Sequence, residues 1–360
     1  MQQNKVLFII NSLGYGGAET YLLKLSKALL SKDWNVSLVT LTDDLVLADK
    51  LDKRIKHYKL KFSTASIPLN IFKLFRIINI EQPKVIHSHL FQSNILGRFI
   101  KFFNSKIRLI NTTHCVYDKE RIAGLSPFSI YKFTKKWVDI HTAVSEESLE
   151  TLLRNNSINL SKGIYIPNGI FVEPYDSKKV NEHKSFMWLA VGRLIPVKNY
   201  NLLLLACEKI LKTDQNFKLH IAGDGFQRRE LEALIISKNL SKTVYLLGNI
   251  PDIPALMENY DAFVFSSDSE GLPMTLLEAM SKKLPIVSTS VGAITEIIQN
   301  SDGGFLVKPK SIEGLSIKML KLMSLNKGEL QRLGRNNFNF LKNNFTIELV
   351  AEKLLKVYNQ

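Results

Sequence analysis

Between Ser267 and Met280 the chain reads SDSEGLPMTLLEAM, with two carboxylates, Glu270 and Glu278, eight positions apart. Gly271 allows a sharp bend, and Pro273 suits the first turn of a helix. Gly271, Leu272 and Pro273 therefore lead into a helix start where the N–H groups near Met274, Thr275 and Leu276 point outward and form an anion site. Carboxylates accept hydrogen bonds from sugar hydroxyls. One near a hexose and one near a ribose would hold both ends of a nucleotide sugar. The plainer alternatives are a dipole partner for Glu270 and a solvated helix face for Glu278.

Two further loops hold suitable groups. VGRLIPVKN (191–199) follows an apolar run and places Arg193 and Lys198 together. A guanidinium fork and an ammonium point charge suit a diphosphate, although two solvated loop cations would read the same way. SLGYGGAET (12–20) is glycine-rich, follows the first apolar run and opens a helix. Gly16 and Gly17 there would let backbone N–H groups approach a phosphate. A dinucleotide fingerprint competes for this loop, because Asp43 and Asp44 end the second run. Glu19, however, stands where the third glycine would permit close helix–strand packing.

Strand-type runs alternate with amphipathic stretches along the chain, which implies a parallel sheet with helices on both faces. Strands are expected at 5–11, 35–41, 83–89, 107–114, 139–145 and around 163–170, and a helix at 17–32 faces inward through Leu22, Leu25 and Leu29. The polar stretch 171–185 reads as a linker. The pattern restarts at 186–192 and continues through strands at 217–225, 243–249, 261–267, 285–292 and 303–307. The fold expected is α/β, two Rossmann-like domains facing across a cleft, with ligands outside the carboxyl ends of the strands. The domains would be 1–170 and 186–345, the C-terminal helix at 346–360 packing back on the first.

The chain has 360 residues and a formal net charge of +15. Residues 1–180 hold 26 basic and 15 acidic residues, against 22 and 18 in 181–360. From Arg98 to Lys136 nine basic residues face two acidic ones, interleaved with Phe99, Phe102, Phe103, Phe128, Tyr131, Phe133 and Trp137. Such a surface suits anionic phospholipid or a polyanionic ligand. A solvated basic surface is the plain alternative. No zinc-finger, RNP or basic-zipper pattern points to nucleic acid. Cys115 and Cys207 have neither metal nor redox spacing and read as free thiols in a reducing compartment. The apolar run near the N-terminus is too short for a signal peptide and reads as a buried strand. No apolar run reaches membrane-spanning length.

The segments GGAE (16–19), HSH (87–89), TTHC (112–115), IPNGI (166–170), VGRLIPVKN, AGDG (222–225) and EGLPMTLLE (270–278) together resemble, over nearly the whole chain, the retaining glycosyltransferases of the large fourth family (glycosyl transferases group 1), which have the GT-B fold and an E-x7-E signature. The resemblance implies that Arg193 and Lys198 bind the donor diphosphate, and that Glu270 contacts the donor sugar and Glu278 the ribose. It further implies that Gly16 and Gly17 meet phosphate or sugar, and that backbone around Asn249 and Ile250 holds the base. His114 matches a family histidine near the donor sugar, with His89 the other candidate. His114 is preferred because it follows a strand-type run; a structural histidine is the alternative. No D-x-D pair occurs, the nearest being Asp268-Ser269-Glu270, so neither a metal nor another cofactor is expected.

The function expected is transfer of a hexose or N-acetylhexosamine from a nucleoside-diphosphate sugar, UDP-linked, to a glycan or polyprenyl-diphosphate-linked acceptor. This would serve bacterial surface polysaccharide assembly, in the cytoplasm on the inner face of the plasma membrane, with an anionic membrane surface as a partner. A nucleotide-sugar 2-epimerase of similar plan and a non-catalytic sugar-nucleotide-binding protein are the rivals. A donor screen with and without acceptor separates them.

Overall fold

The run Lys5–Ile10 is apolar at every position after its lysine, and a strand hides such a run only when both faces are covered. In the computed structural model, which describes residues 4–62, 66–114, 125–172, 185–213 and 216–360, it is a central strand, β1. The chain divides into two units, Met1–Phe171 with Thr346–Gln360, and Val172–Phe345. Residues 173–184 of the expected linker, Cys115 and the rest of the loop after His114, residues 116–124, lie outside the described residues.

The first unit runs β1, α1 (Gly17–Leu30), β2 (Asn35–Thr40), β3 (Lys56–Lys59), α2 (Ile67–Glu81), β4 (Val85–His89) and α3 (Phe91–Phe103). It continues β5 (Leu109–Thr113), α4 (Pro127–Thr134), β6 (Ile140–Ala143), α5 (Glu146–Arg154) and β7 (Gly163–Tyr165). All seven strands are parallel, in the order β3-β2-β1-β4-β5-β6-β7. Leu22, Leu25 and Leu29 of α1 are buried as their spacing predicts.

The second unit runs β8 (Phe186–Val191), α6 (Tyr200–Leu211), β9 (Phe217–Ala222), α7 (Arg228–Ser237), β10 (Val244–Gly248), α8 (Ile253–Met257) and β11 (Ala262–Phe265). Then follow α9 (Met274–Ser281), β12 (Ile286–Thr289), α10 (Gly292–Ser301), β13 (Gly304–Val307), α11 (Ile312–Met323) and α12 (Lys327–Asn344). Its sheet is parallel, in the order β10-β9-β8-β11-β12-β13. Trp188, Leu203, Leu219 and Met319 centre its core. Cys207 is buried there as a free thiol whose pKa burial pushes up.

The last helix, α13 (Ile347–Asn359), belongs to the first unit. The Ile347 amide donates to the Ile170 carbonyl at 2.9 Å. A Cβ at Gly169 would lie 2.9 Å from the Ile347 Cα, so only glycine lets the helix come this close. Tyr358 packs on Trp34 and hydrogen-bonds His87.

Two of the elements that sequence periodicity does not give are β3 and α2. β3 (KHYK) has no apolar run, because it is an edge strand. In α2, Leu74, Ile77 and Ile78 are buried while Ile67, Leu69, Phe72 and Ile80 are exposed, which blurs its period. Among the described residues no helix is long and apolar enough to cross a membrane.

The amino ends of the first sheet are tied to one buried carboxylate. Glu81 accepts from Ser37 Oγ at 2.7 Å and Tyr58 OH at 2.6 Å, and pairs with Lys5 and Lys56 at 3.1 and 3.2 Å. Burial alone would raise its pKa, but these four donors together hold it at about 2, against 4.5 unperturbed. The stability Glu81 contributes is therefore complete above pH 4.5 and is lost as pH falls toward 2. Glu81→Gln should cost about 2 kcal/mol at neutral pH. Denaturant titrations of both proteins from pH 7 to pH 2.5 should show this gap closing below pH 4.5, while a constant gap would refute the charge-based account.

Candidate active site

The order of each sheet reverses at one place. The chain adds strands to one side of β1 and then crosses to β4, and likewise moves outward from β8 before crossing to β11. Loops leaving two such neighbours diverge and leave a crevice at their carboxyl ends. Arg193 and Lys198 lie in the loop after β8, and Glu270 in the loop after β11.

These two loops are stitched together. The Asp268 amide donates to the Val197 carbonyl at 2.8 Å, Asn199 Nδ2 to Asp268 Oδ1 at 2.9 Å, and Ser266 Oγ to the Lys198 carbonyl at 2.9 Å. Asn199 also turns the chain in the left-handed region (φ 48°) and caps α6. Lys198 Nζ then meets Glu270 Oε1 at 2.5 Å, and Ser267 Oγ donates to that same oxygen at 2.6 Å. Both members of the ion pair are largely buried, at 19% and 10% side-chain exposure. One carboxylate oxygen, Oε1, is thus clamped, and the other, Oε2, has no hydrogen-bond partner among the described residues.

Behind Glu270 the backbone fits tightly. Gly292 opens α10 at φ 53°, and a Cβ there would lie 2.1 Å from the Glu270 carbonyl oxygen. The Ala293 amide donates to the Gly271 carbonyl at 3.0 Å. Gly192 is less tightly placed: a Cβ there would lie 3.0 Å from the Tyr200 hydroxyl and 3.3 Å from the Lys198 side chain. Burial, and then the Glu270 charge, push the Tyr200 pKa up, so Tyr200 stays protonated and donates to the Gly192 carbonyl at 3.1 Å.

The helix start after Glu270 is open. α9 has Pro273 at its N-cap and no side-chain cap. Leu272 and Met274 are buried while Pro273 and Thr275 are partly exposed. Ser, Asn, Asp or Thr caps α4, α5, α6, α8, α11, α12 and α13. Glu278 is 6% exposed on α9, so a solvated helix face is not its setting. Arg193 is exposed, and its guanidinium pairs with no described residue. Asn249 and Ile250 follow β10, where the Gly223 amide donates to the Gly248 carbonyl at 2.7 Å.

In the first unit, His89 and His114 are neighbours rather than alternatives. His89 Nδ1 and His114 Nε2 are 3.0 Å apart. His87 stacks on His89 at 4.3 Å and bonds Tyr358 and Thr112 through its two nitrogens, each at 2.6 Å. Burial pushes His87 and His114 down to about 3, and it also holds His89 well below the usual imidazole value. All three rings are therefore neutral at pH 7. His114 Nδ1 and His89 Nε2 are buried without a partner among the described residues.

The glycine loop is not a bare phosphate cradle. A Cβ on Gly16 would fall 2.1 Å from a Glu19 carboxylate oxygen, and one on Gly14 would fall 1.9 Å from that of Asp44. Two carboxylates beside a helix start disfavour a phosphate there and suit hydroxyls.

The basic aromatic segment also needs correction. Arg98 is wholly buried, hydrogen-bonded to Asn111, Thr134, the Tyr131 carbonyl and His141, and stacked on the buried Tyr131 ring. Its neutral partners leave its charge uncompensated, and burial lowers its pKa to about 10. Neither residue belongs to a surface.

The profile of the group 1 glycosyl transferases matches residues 172–340, and that of glycosyltransferase family 4 matches residues 15–173. The chain is a group 1 glycosyltransferase. It is 27% identical over 303 residues to the GPI3 subunit of a yeast (Saccharomyces cerevisiae) phosphatidylinositol N-acetylglucosaminyltransferase, covering 79% of this chain and 67% of that one. It is 24% identical over 340 residues to an Escherichia coli UDP-Gal:alpha-D-GlcNAc-diphosphoundecaprenol alpha-1,3-galactosyltransferase, covering 87% and 86%. The solved structure of Anabaena HepE with UDP-glucose superposes with a TM-score of 0.84 at 18% identity, over 99% of both chains. The glycosyltransferase thus has two Rossmann-like domains, as its motifs predict.

Gly292→Ala should destabilise the second unit by about 1–3 kcal/mol through strain at positive φ and the clash with Glu270. Gly328→Ala, on the exposed first turn of α12, meets only the Asn326 side chain, at 3.2 Å, and should shift stability far less. Thermal unfolding checks both, and equal melting temperatures for the two variants would contradict the tight fit behind Glu270.

Proposed function

We propose that this glycosyltransferase moves a hexose or N-acetylhexosamine from a UDP-sugar to a lipid-linked glycan acceptor with retention. The observation that carries the donor reading is Glu270, clamped through Oε1 by Lys198 and Ser267 with Oε2 free, beside the open start of α9. In this reading Oε2 receives a donor-sugar hydroxyl. Arg193, Lys198 and the amides after Pro273 face the diphosphate, Glu278 the ribose, and the backbone at Asn249 and Ile250 the base. The sugar C1–O bond to the diphosphate breaks with oxocarbenium character, and the negative charge moves onto a leaving group already faced by cations and N–H groups. The acceptor hydroxyl attacks C1 from the face the diphosphate leaves, and a diphosphate oxygen takes its proton. No protein base is needed, and Glu270 orients the sugar rather than attacking it.

His114 would contact the donor sugar. With Glu19 and Asp44 over the glycine loop, Gly16 and Gly17 are better matched to sugar hydroxyls than to phosphate. The UDP donor is supported by the UDP-galactose in the Escherichia coli relative's name and the UDP-glucose bound to HepE. The lipid-linked acceptor is supported by the diphosphoundecaprenol and phosphatidylinositol named for two relatives. Such an acceptor places the enzyme at the inner face of the plasma membrane, in bacterial surface polysaccharide assembly.

Arg193→Ala and Glu270→Ala should each lower turnover with a UDP-sugar by about 10²–10³-fold, the range for losing an oriented group at a developing charge. EDTA should leave transfer unchanged, since side-chain cations and amides meet the diphosphate. Assays with a UDP-sugar panel and a lipid-linked acceptor test both statements. Near-wild-type rates for both variants would overturn the site, and loss of activity on chelation would overturn the metal-free leaving group.

A further inference from the structure

A helix on the surface of a soluble domain ordinarily turns a polar face to water. The outer face of α3 does the opposite. Gln92, Leu96, Phe99 and Phe103 recur at helical spacing along it, and Phe102 lies alongside. Phe99, Phe102 and Phe103 are exposed, and Phe133 on α4 is 76% exposed. The rings touch one another rather than the core: Phe99 and Phe103 centroids are 4.8 Å apart, Phe102 and Phe103 5.0 Å, and Phe102 and Trp137 4.6 Å.

The charged side chains of the described segments that carry these rings are basic. Residues 98–114 and 125–137 contain no acidic residue. Lys106, Lys132 and Lys136 are exposed and form no ion pair with a described residue. Asp139, just beyond, is taken up by Lys101 at 2.9 Å and by the Leu109 amide. Clustered exposed aromatics, with exposed unpaired lysines in the same chain segments, fit the interface of a bilayer carrying anionic headgroups, where rings enter the acyl boundary and ammonium groups stay among the phosphates.

At its other end the stripe reaches a cavity of about 390 Å³, lined by Leu41, Phe62, Ile67 and Leu96 with Asn11 and Gln92 at its polar side. Asn11, at the end of β1, hydrogen-bonds Gln92 and Ser93 at the start of α3. The cavity therefore opens at the strand-order reversal of the first sheet. From Gln92 to Phe103 the helix rises about 16 Å at 1.5 Å per residue.

We infer that the outer face of α3 docks this chain on an anionic phospholipid bilayer through Phe99, Phe102, Phe103 and Phe133 with Lys106, Lys132 and Lys136, and that its apolar stripe leads from the bilayer to the cavity beside Asn11. Only the identity of what enters that cavity, the acceptor of the proposed transfer, rests on the functional reading above. Docking itself needs neither donor nor acceptor.

The test is co-sedimentation of the full chain with phosphatidylcholine vesicles, with and without 30 mol% phosphatidylglycerol. The variants are Phe102→Ser with Phe103→Ser, and Lys106→Glu with Lys136→Glu, each checked for UDP binding and melting temperature. The wild type should bind the anionic vesicles, lose that binding as salt is raised, and bind neutral vesicles weakly. Each double variant should bind at least tenfold less, with UDP affinity unchanged. If the phenylalanine pair does not fold, the lysine pair decides. Absence of wild-type binding, or binding retained by the folded variants, would overturn the docking face. So would a wild-type dimer that the phenylalanine pair dissolves, since the patch would then be an interface between copies. Loss of vesicle binding with transfer to a water-soluble acceptor intact would leave the transfer reading standing.

Discussion

Everything at the candidate site follows from one topological fact, that β8 and β11 are neighbours in the sheet but seventy residues apart in the chain. Parallel strands carry their loops out at the same end, and here the two loops belong to chain segments that then leave in opposite directions. Lys198 and Glu270 meet because of that divergence. Their side chains form an ion pair mostly removed from water, where attraction is less screened and an unpaired charge would be costly. Hydrogen bonds between the loops and the glycine at 292 hold the backbone so that the pair needs little reorganisation. The first sheet repeats the plan at β1 and β4 with different chemistry: neutral imidazoles, carboxylates over a glycine loop, and an amide–amide contact beside a cavity.

This division of charge has a physical consequence. The second unit presents cations and helix amides, which match a diphosphate. The first presents groups without net positive charge near its loops, which match hydroxyls. Burial keeps His87, His89 and His114 neutral over the whole physiological range. Neutral imidazoles both donate and accept hydrogen bonds, and Tyr358 from the last helix anchors the column at its far end.

The alternation of strands and helices was legible in the sequence because parallel strands covered on both faces must be nearly all apolar. The loops at their carboxyl ends were legible because glycine and proline are needed there. What escaped was whatever depended on partners distant in sequence. Lys198 and Glu270 were each readable as ligand contacts, yet nothing in the chain announced that they bond each other, since that contact is made only when β8 and β11 pair. His89 and His114 looked like rivals because strand adjacency, which joins them, is not a local property. Arg98 and Tyr131 looked like surface residues because charge is a strong prior for exposure, but a polar pocket made by Asn111, Thr134 and His141 takes the guanidinium in. The strand β3 carried no apolar signal, and α2 carried too much of one.

In the proposed reading Lys198 and Glu270 act as one unit, the lysine fixing the carboxylate that receives the sugar. A double-mutant cycle with Lys198→Met, Glu270→Gln and the double variant, read as transfer rate from a UDP-sugar, tests it most directly. If the pair is one device, the double variant will be scarcely slower than the worse single variant, a coupling of about 1–3 kcal/mol. Losses that simply add would show that the two residues act independently and would overturn the paired role.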